Sequence, residues 1–361
     1  MYYIKSTLLL SLNLISFISI AQYNSENLKI LELDQLENSN LNFSYEKLKL
    51  YPIVANDVFF KEHQEIGDFT LLKDAIEKDK ILITEIGANT EIETAEPIRV
   101  EPEREANHRT ESYNIQNQQI IQSANIGGDV SGRVNKLIAN NVSSDTIFIM
   151  AGEVVKGGKQ DRVIAQDVVI APGEKIDLNA FCVEKNRWVT KDDNKGQFTG
   201  YYNVTSMDIR KSVTEEKNQS EVWKKVDLHT SKNKASSTTS TYTNLENSDD
   251  YQKDINKYME KFNNLFDNNN KVIGFIAVTG DEIIGCDLFA THELFINSYE
   301  NLIHSYIGHA ITNGSEVSIN DEKVYTYLNR VLKDESNQEE EIEKNGTIYK
   351  WKNKKLHITL Y

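Results

Sequence analysis

The stretch from Ile147 to Trp188, IFIMAGEVVKGGKQDRVIAQDVVIAPGEKIDLNAFCVEKNRW, concentrates the polar chemistry of this sequence. Glu153, Lys159, Gln160, Asp161, Arg162, Glu184, Arg187 and Trp188 fall at the ends of short predicted strands, where turns at Gly152, Gly157 and Gly158 bring backbones close. In Lys175 to Glu184 the alternation sets Ile176, Leu178, Ala180, Cys182 and Glu184 on one face. A carboxylate on that apolar face must be paired, and Arg162 or Arg187 can answer it with a bidentate fork. Two uses of the cluster follow. One is a buried ion pair that closes the sheet. The other is a polar pocket, with Trp188 as a stacking wall and Lys159, Gln160 and Arg162 as donors to a small anionic or sugar-like ligand. In a third use, Glu153 or Glu184 is a catalytic carboxylate.

Other chemistries leave no signature. The sequence has no phosphate loop, no Gly-x-Ser-x-Gly elbow, no His-Glu-x-x-His and no Cys-x-x-Cys. Gly127-Gly128 precedes Asp129 without the lysine that a phosphate loop requires and reads as a turn. The seven histidines are scattered, and His304 and His309 occupy different faces of one predicted helix, so no metal centre and no cofactor are expected. Cys182, placed among Ile176, Leu178 and Ala180, reads as a core thiol and not as a nucleophile.

The elements that must position the cluster are mostly strands. Leu48 to Val54 reads as a first strand, with Pro52 favouring an edge position, and Lys80 to Thr84 as another. Between them Leu71, Leu72, Ala75 and Ile76 sit at helical spacing, with Asp68 or Thr70 as the cap. From Val130 onward short apolar runs alternate with turns at Asn140-Asn141, Gly157-Gly158 and Pro172-Gly173. Further on, Ile255, Tyr258, Met259, Phe262, Leu265 and Phe266 mark an amphipathic helix. Lys271 to Thr279 and Ile283 to Phe289 form a hairpin about Gly280-Asp281. Thr291 caps a helix whose buried stripe is Phe295, Tyr299, Leu302, Ile303, Tyr306 and Ala310. Val324, Tyr327, Leu328 and Val331 sit at helical spacing, followed by the acid run Asn337 to Glu343 and a final strand pair. The predicted fold is α+β, an antiparallel β-sandwich-like core with peripheral helices.

Residues 1–21 have the layout of a secretory signal: one cation at Lys5, an apolar run from Leu8 to Ile20, and small residues at Ser19 and Ala21. The expected mature protein begins at Gln22 and is secreted or periplasmic, with no transmembrane span. Residues 22–46 read as a weakly ordered lead-in, and 47–361 as one composite domain with polar insertions at about 89–119 and 229–250. Lys plus Arg number 40 against 55 Asp plus Glu, and the net charge of -15 argues against nucleic acid as a partner.

The motifs AGEVVKGGKQDRV, APGEKI and FCVEKNRW, followed by QSEVW and GDEIIGCDLF, resemble the ARG and Rhodanese-Phosphatase-superfamily-associated protein domain. The resemblance runs from about Leu48 through LLKDAIEKDKILITE to the terminal LHITLY. The family's polar motif residues fall on Glu153, Lys159, Gln160, Arg162, Cys182, Glu184, Arg187 and Trp188, while Asp161 stands where a neutral residue is expected. The family's name, which points to ADP-ribosylglycohydrolase and phosphatase-like proteins, implies a link to ADP-ribose or nucleotide metabolism. The expected function is an exported ligand-binding module for a nucleotide, ADP-ribose-like or sugar ligand. The alternatives are a hydrolase of a glycosidic or phosphoester bond, and a structural or interaction protein.

Overall fold

The structure is a computed structural model, and it describes residues 23–32, 42–86, 135–187 and 196–361. The expected signal segment, the 89–119 insertion and Trp188 lie outside the described residues.

Two β assemblies share one core. The first is a seven-stranded antiparallel sheet in the order β1(Leu28–Ile30), β3(Leu48–Ala55), β13(Val272–Thr279), β14(Glu282–Phe289), β16(Lys354–Leu360), β15(Gly346–Trp351), with β2(Ser44–Tyr45) also on β3. Its central strand VIGFIAVT is buried along its whole length, because both faces of the sheet are covered. On one face Tyr51, Ile53, Ile273, Ile276 and Ile358 pack against α1(Asp57–His63), α7(Asp321–Val331) and α8(Glu335–Asn345). On the other, Leu50, Phe275, Ala277 and Phe289 meet α5(Asp249–Phe262) and α6(His292–Asn313).

The second assembly is a closed barrel of β11(Lys175–Cys182), β6(Lys136–Asn141), β5(Ile81–Glu85), β12(Gln197–Val204), β8(Glu153–Gly157) and β9(Arg162–Ile164). The antiparallel α+β class is as expected from the sequence; the sandwich-like core is corrected to a barrel. Closure comes from the two eight-residue strands, each of which changes partner midway. β11 pairs with β6 over Lys175–Asn179 and with β9 over Ala180–Cys182. β12 pairs with β5 at Gln197 and Phe198, then with β8 through two register shifts. A strand shared between two partners curls the sheet until its edges meet. The inward set, including Ile81, Ile83, Leu137, Ala139, Val155, Ile164, Leu178, Ala180 and Phe198, fills the interior. Val154, Val163, Phe181 and Val183 point outward and join the core shared with the large sheet. A small sheet, β10(Val168–Ile170), β7(Ile147–Ile149) and β4(Thr70–Leu71), holds the one parallel pair between the named strands.

Most helices begin where their caps predict: Thr291 accepts from Leu294 N, Ser248 from Tyr251 N and Asn218 from Ser220 N and Glu221 N. Three local readings change. Pro52 lies on an interior strand, since β3 pairs with both β1 and β13. Its carbonyl accepts from Leu31 N at 2.8 Å, so the missing N–H falls at the end of three-residue β1, where no ladder continues. Thr70 does not cap α2(Leu72–Glu77): it is part of β4, its hydroxyl donates to Asp145, and Leu71 holds the cap position without a side-chain bond. β12 is a strand where the sequence reading set none. There is no helix long and apolar enough to cross a membrane among the described residues.

Candidate functional site

One end of the barrel gathers most of the predicted cluster. Glu184, 1 % exposed, receives Arg187 Nε at 2.9 Å, Arg187 Nη2 at 2.6 Å and the backbone N of Asp161 at 3.1 Å. Burial alone would raise the Glu184 carboxyl, but these donors outweigh it and hold it below its ordinary range. Arg187 also donates to the carbonyls of Gly158 (2.7 Å) and Gly157 (3.1 Å) and reaches Asp161 Oδ1 at 3.3 Å. Asp161 accepts from Gly157 N, Thr241 and Thr243, so the acidic departure from the motif serves as the hub of a turn. Gly157 is needed there: at φ 142° a Cβ would stand 2.5 Å from the Gln197 carbonyl.

Arg162 does not pair with Glu184. Its Nη1 donates to the Gln160 carbonyl and side-chain oxygen at 3.3 and 3.2 Å, its Nη2 lies 3.7 Å from Glu85, and its Nε is buried without a partner. Gln160 Nε2 reaches the Lys185 carbonyl at 3.2 Å. Lys159, half exposed, gives its backbone N to Glu85 and places Nζ 3.9 Å from it. Glu85 is a member that sequence reading missed, because it lies far along the chain on β5. Three cations (Lys159, Arg162, Arg187) thus face three carboxylates (Glu85, Asp161, Glu184). Cys182 is tied in through its backbone, whose N–H and C=O both meet the side-chain amide of Gln219 at 2.8 Å. FCVEKNRW and QSEVW are therefore joined in space.

Glu153 stands apart, at the opposite end of β8. Met150 N donates to its Oε2 at 2.7 Å and the Tyr201 hydroxyl to its Oε1 at 3.0 Å. Burial pushes its carboxyl up to about 8, so it is protonated at neutral pH. Beyond it runs a crevice too narrow for a water molecule, shared with Phe148, Met150, Ser298 and Asn301. Ser298 Oγ and Asn301 Oδ1 have no hydrogen-bond partner.

In front of Tyr201 the molecule opens. A cleft of about 470 Å³ runs along β12, between α2, α5 and α6. Past Phe198 no described strand pairs with the β5 side of β12, and Thr199, Gly200, Tyr201, Tyr202 and Asn203 line the cleft in succession. Lys73 and Glu77 contribute from α2, Tyr251, Gln252 and Ile255 from α5, and His304 from α6. Burial, with Lys73 nearby, lowers His304 to about 4, so its ring is neutral. The run FTGYYNV, rich in aromatic and β-branched residues, was the available signal for this strand.

Two further polar clusters lie outside the sequence-predicted set. Between barrel and sheet, Arg210 forks onto Asp287 with two 2.9 Å bonds, and His357 bridges Asp287 (3.0 Å) and Asp167 (2.6 Å). Asp287 belongs to GDEIIGCDLF and His357 to LHITLY, so these motif residues fasten the two β assemblies together. The second cluster sets Ser206 Oγ 2.9 Å and Asp208 Oδ1 3.0 Å from the same His229 nitrogen, Nε2, while His229 Nδ1 has no partner. A nucleophile activated through histidine needs serine and carboxylate on opposite ring nitrogens, so this is a packed polar contact. No group able to hold a metal ion occurs among the described residues.

These features define a class: an α+β protein of a closed antiparallel barrel fused to a seven-stranded sheet, with a cleft along β12 where no described strand pairs with it. The chain belongs to the ARG and Rhodanese-Phosphatase-superfamily-associated Protein domain family, whose model matches residues 40–359. No curated protein and no solved structure shows significant similarity to the chain.

Proposed function

We propose that the protein is an exported binding module for a small polar ligand of the nucleotide, ADP-ribose or sugar kind, and that the ligand occupies the cleft along β12. The cleft carries the reading. Its volume is in the range of small-molecule sites, and Lys73, Tyr202, Asn203 and His304 are among the polar residues that line it. The export half of the proposal is supported by the residue pattern of 1–21.

A specific observation favours a second site for an anionic ligand at the other barrel end: the buried Nε of Arg162 has no partner, beside Gln160 and Lys159. Among the described residues the three cations there face three carboxylates, which is why the cleft is preferred. Hydrolysis of a glycosidic or phosphoester bond would have Glu153 as its acid. Its Oε1 is bonded to the Tyr201 hydroxyl and Glu153 does not line the cleft, so binding is the stronger reading.

Thermal shift of the full chain against nucleosides, ADP-ribose and sugars tests this, since a ligand at 100 times its Kd stabilises by about 2.7 kcal/mol. The expected result is a shift lost in Asn203→Ala and retained in Lys159→Ala. The reverse pattern would move the site to the barrel end.

A further inference from the structure

We infer that, of the ligand kinds proposed for this cleft, it takes the uncharged, hydroxyl-rich rings, a sugar or a nucleoside, and rejects the phosphate-bearing ones, nucleotides and ADP-ribose. The inference rests on the cleft being the binding site. Recognition of phosphate calls for a guanidinium fork or a cluster of cations. Here Lys73 is the one cation of the lining among the described residues, and Glu77 stands a helical turn further along α2. Glu246, also in the lining, is held by Lys156 Nζ at 2.8 Å, so the charge of that lysine is already matched. His304 adds no charge near neutral pH. The buried guanidiniums of Arg162, Arg187 and Arg210 all sit elsewhere beside carboxylates. With Glu246 and Lys156 matched to each other, a phosphate in the cleft would find Lys73 alone, with the Glu77 carboxylate a helical turn away, and no guanidinium.

A neutral ring is better served. Gln252 Nε2 donates to the Leu245 carbonyl at 3.1 Å, which fixes the amide and leaves Oε1 to accept from a hydroxyl. Asn203, Tyr202 and His304 supply both donors and acceptors. The tyrosine rings and Ile255 give the apolar surface on which a ring face packs.

The experiment is calorimetric titration of the full chain with matched pairs: adenosine against AMP, and methyl glucoside against glucose 6-phosphate. The neutral member of at least one pair should bind about tenfold or more tightly than its phosphorylated form, because repulsion discriminates as effectively as attraction. Glu77→Lys, on an exposed position, should narrow or reverse that ratio, and both Asn203→Ala and Tyr202→Phe should weaken the neutral member. A phosphorylated member that binds more tightly, and loses affinity in Asn203→Ala, overturns the neutral-ligand inference while the cleft remains the site. Binding of either member that is indifferent to Asn203→Ala and Tyr202→Phe overturns the cleft itself. No binding by any of the four compounds counts against both.

Discussion

Arg187 and Glu184, three residues apart, meet at 2.6 Å across the turn that follows β11, and the same guanidinium ties down the carbonyls of Gly157 and Gly158. One cation therefore holds together the Gly157-Gly158 turn and the end of β11. Removing it would take the guanidinium from Glu184 and one cationic contact from Asp161, both in the interior. Arg187→Ala should lower the unfolding free energy by roughly 3–5 kcal/mol. Urea denaturation of variant and parent measures it, and a loss within about 1 kcal/mol, the range of exposed pairs, would show that the network does not depend on this residue.

The Arg210, Asp287, His357 and Asp167 cluster makes stability depend on pH in a defined window. Burial lowers His357, but Asp167 and Asp287 outweigh it and raise the imidazole above its ordinary 6.5. Its contribution is therefore complete below pH 6.5 and is lost as pH rises through the raised value. For Asp287, burial raises the carboxyl but Arg210 and His357 outweigh it and hold it below its ordinary 3.8. That contribution is complete above 3.8 and is lost as pH falls. Both are present together from about pH 4 to 6.5. The stability gap between the parent and His357→Gln should be widest in that window and narrow toward alkaline pH. A gap that widens with pH would contradict the assignment.

Glu153 acts in the opposite sense to a paired carboxylate. Desolvation raises it from 4.5 to about 8 in the folded protein, so between those values the unfolded chain ionises first and rising pH disfavours folding. The parent should lose roughly 1.4 kcal/mol per pH unit across that range relative to Glu153→Gln. The reading is a slope, so any constant offset from placing an amide opposite Met150 N does not affect it. Parallel pH profiles for the two proteins would mean that Glu153 is ionised in the fold.

Cys182 and Cys286 are both buried and unbridged, and burial raises both thiols. Thiol labelling should be slow in the native protein and rapid for both cysteines in denaturant. Failure to label in denaturant without reductant would show that the two are bridged in the isolated protein.

On export, intact mass of the protein recovered from the producing cell should place the mature N-terminus at Gln22. Recovery of Met1 through Ala21 on the soluble protein would remove the export proposal.

Local patterns were legible wherever a single segment decides its own structure. The period-two face of Ile176, Leu178, Ala180 and Cys182, the hairpin at Gly280, the Thr291 cap and the stripe of α6 are all present as the sequence implied. Each follows from neighbours a few residues apart. The family motifs were also readable, and they matched over nearly the whole chain. What the sequence left open were the partners across long separations. Whether Glu184 takes Arg162 on β9 or Arg187 in the turn after β11 depends on how that turn folds against β9, and either guanidinium satisfies the same local rule. Barrel and sandwich share the same alternation along each strand, and only the change of partner halfway along β11 and β12 separates them. The buried links of Arg210 to Asp287 and of Glu85 to Arg162 join segments more than seventy residues apart. The cleft, too, exists only in three dimensions, because it is the space left where β12 parts from β5 and α2, α5 and α6 border it.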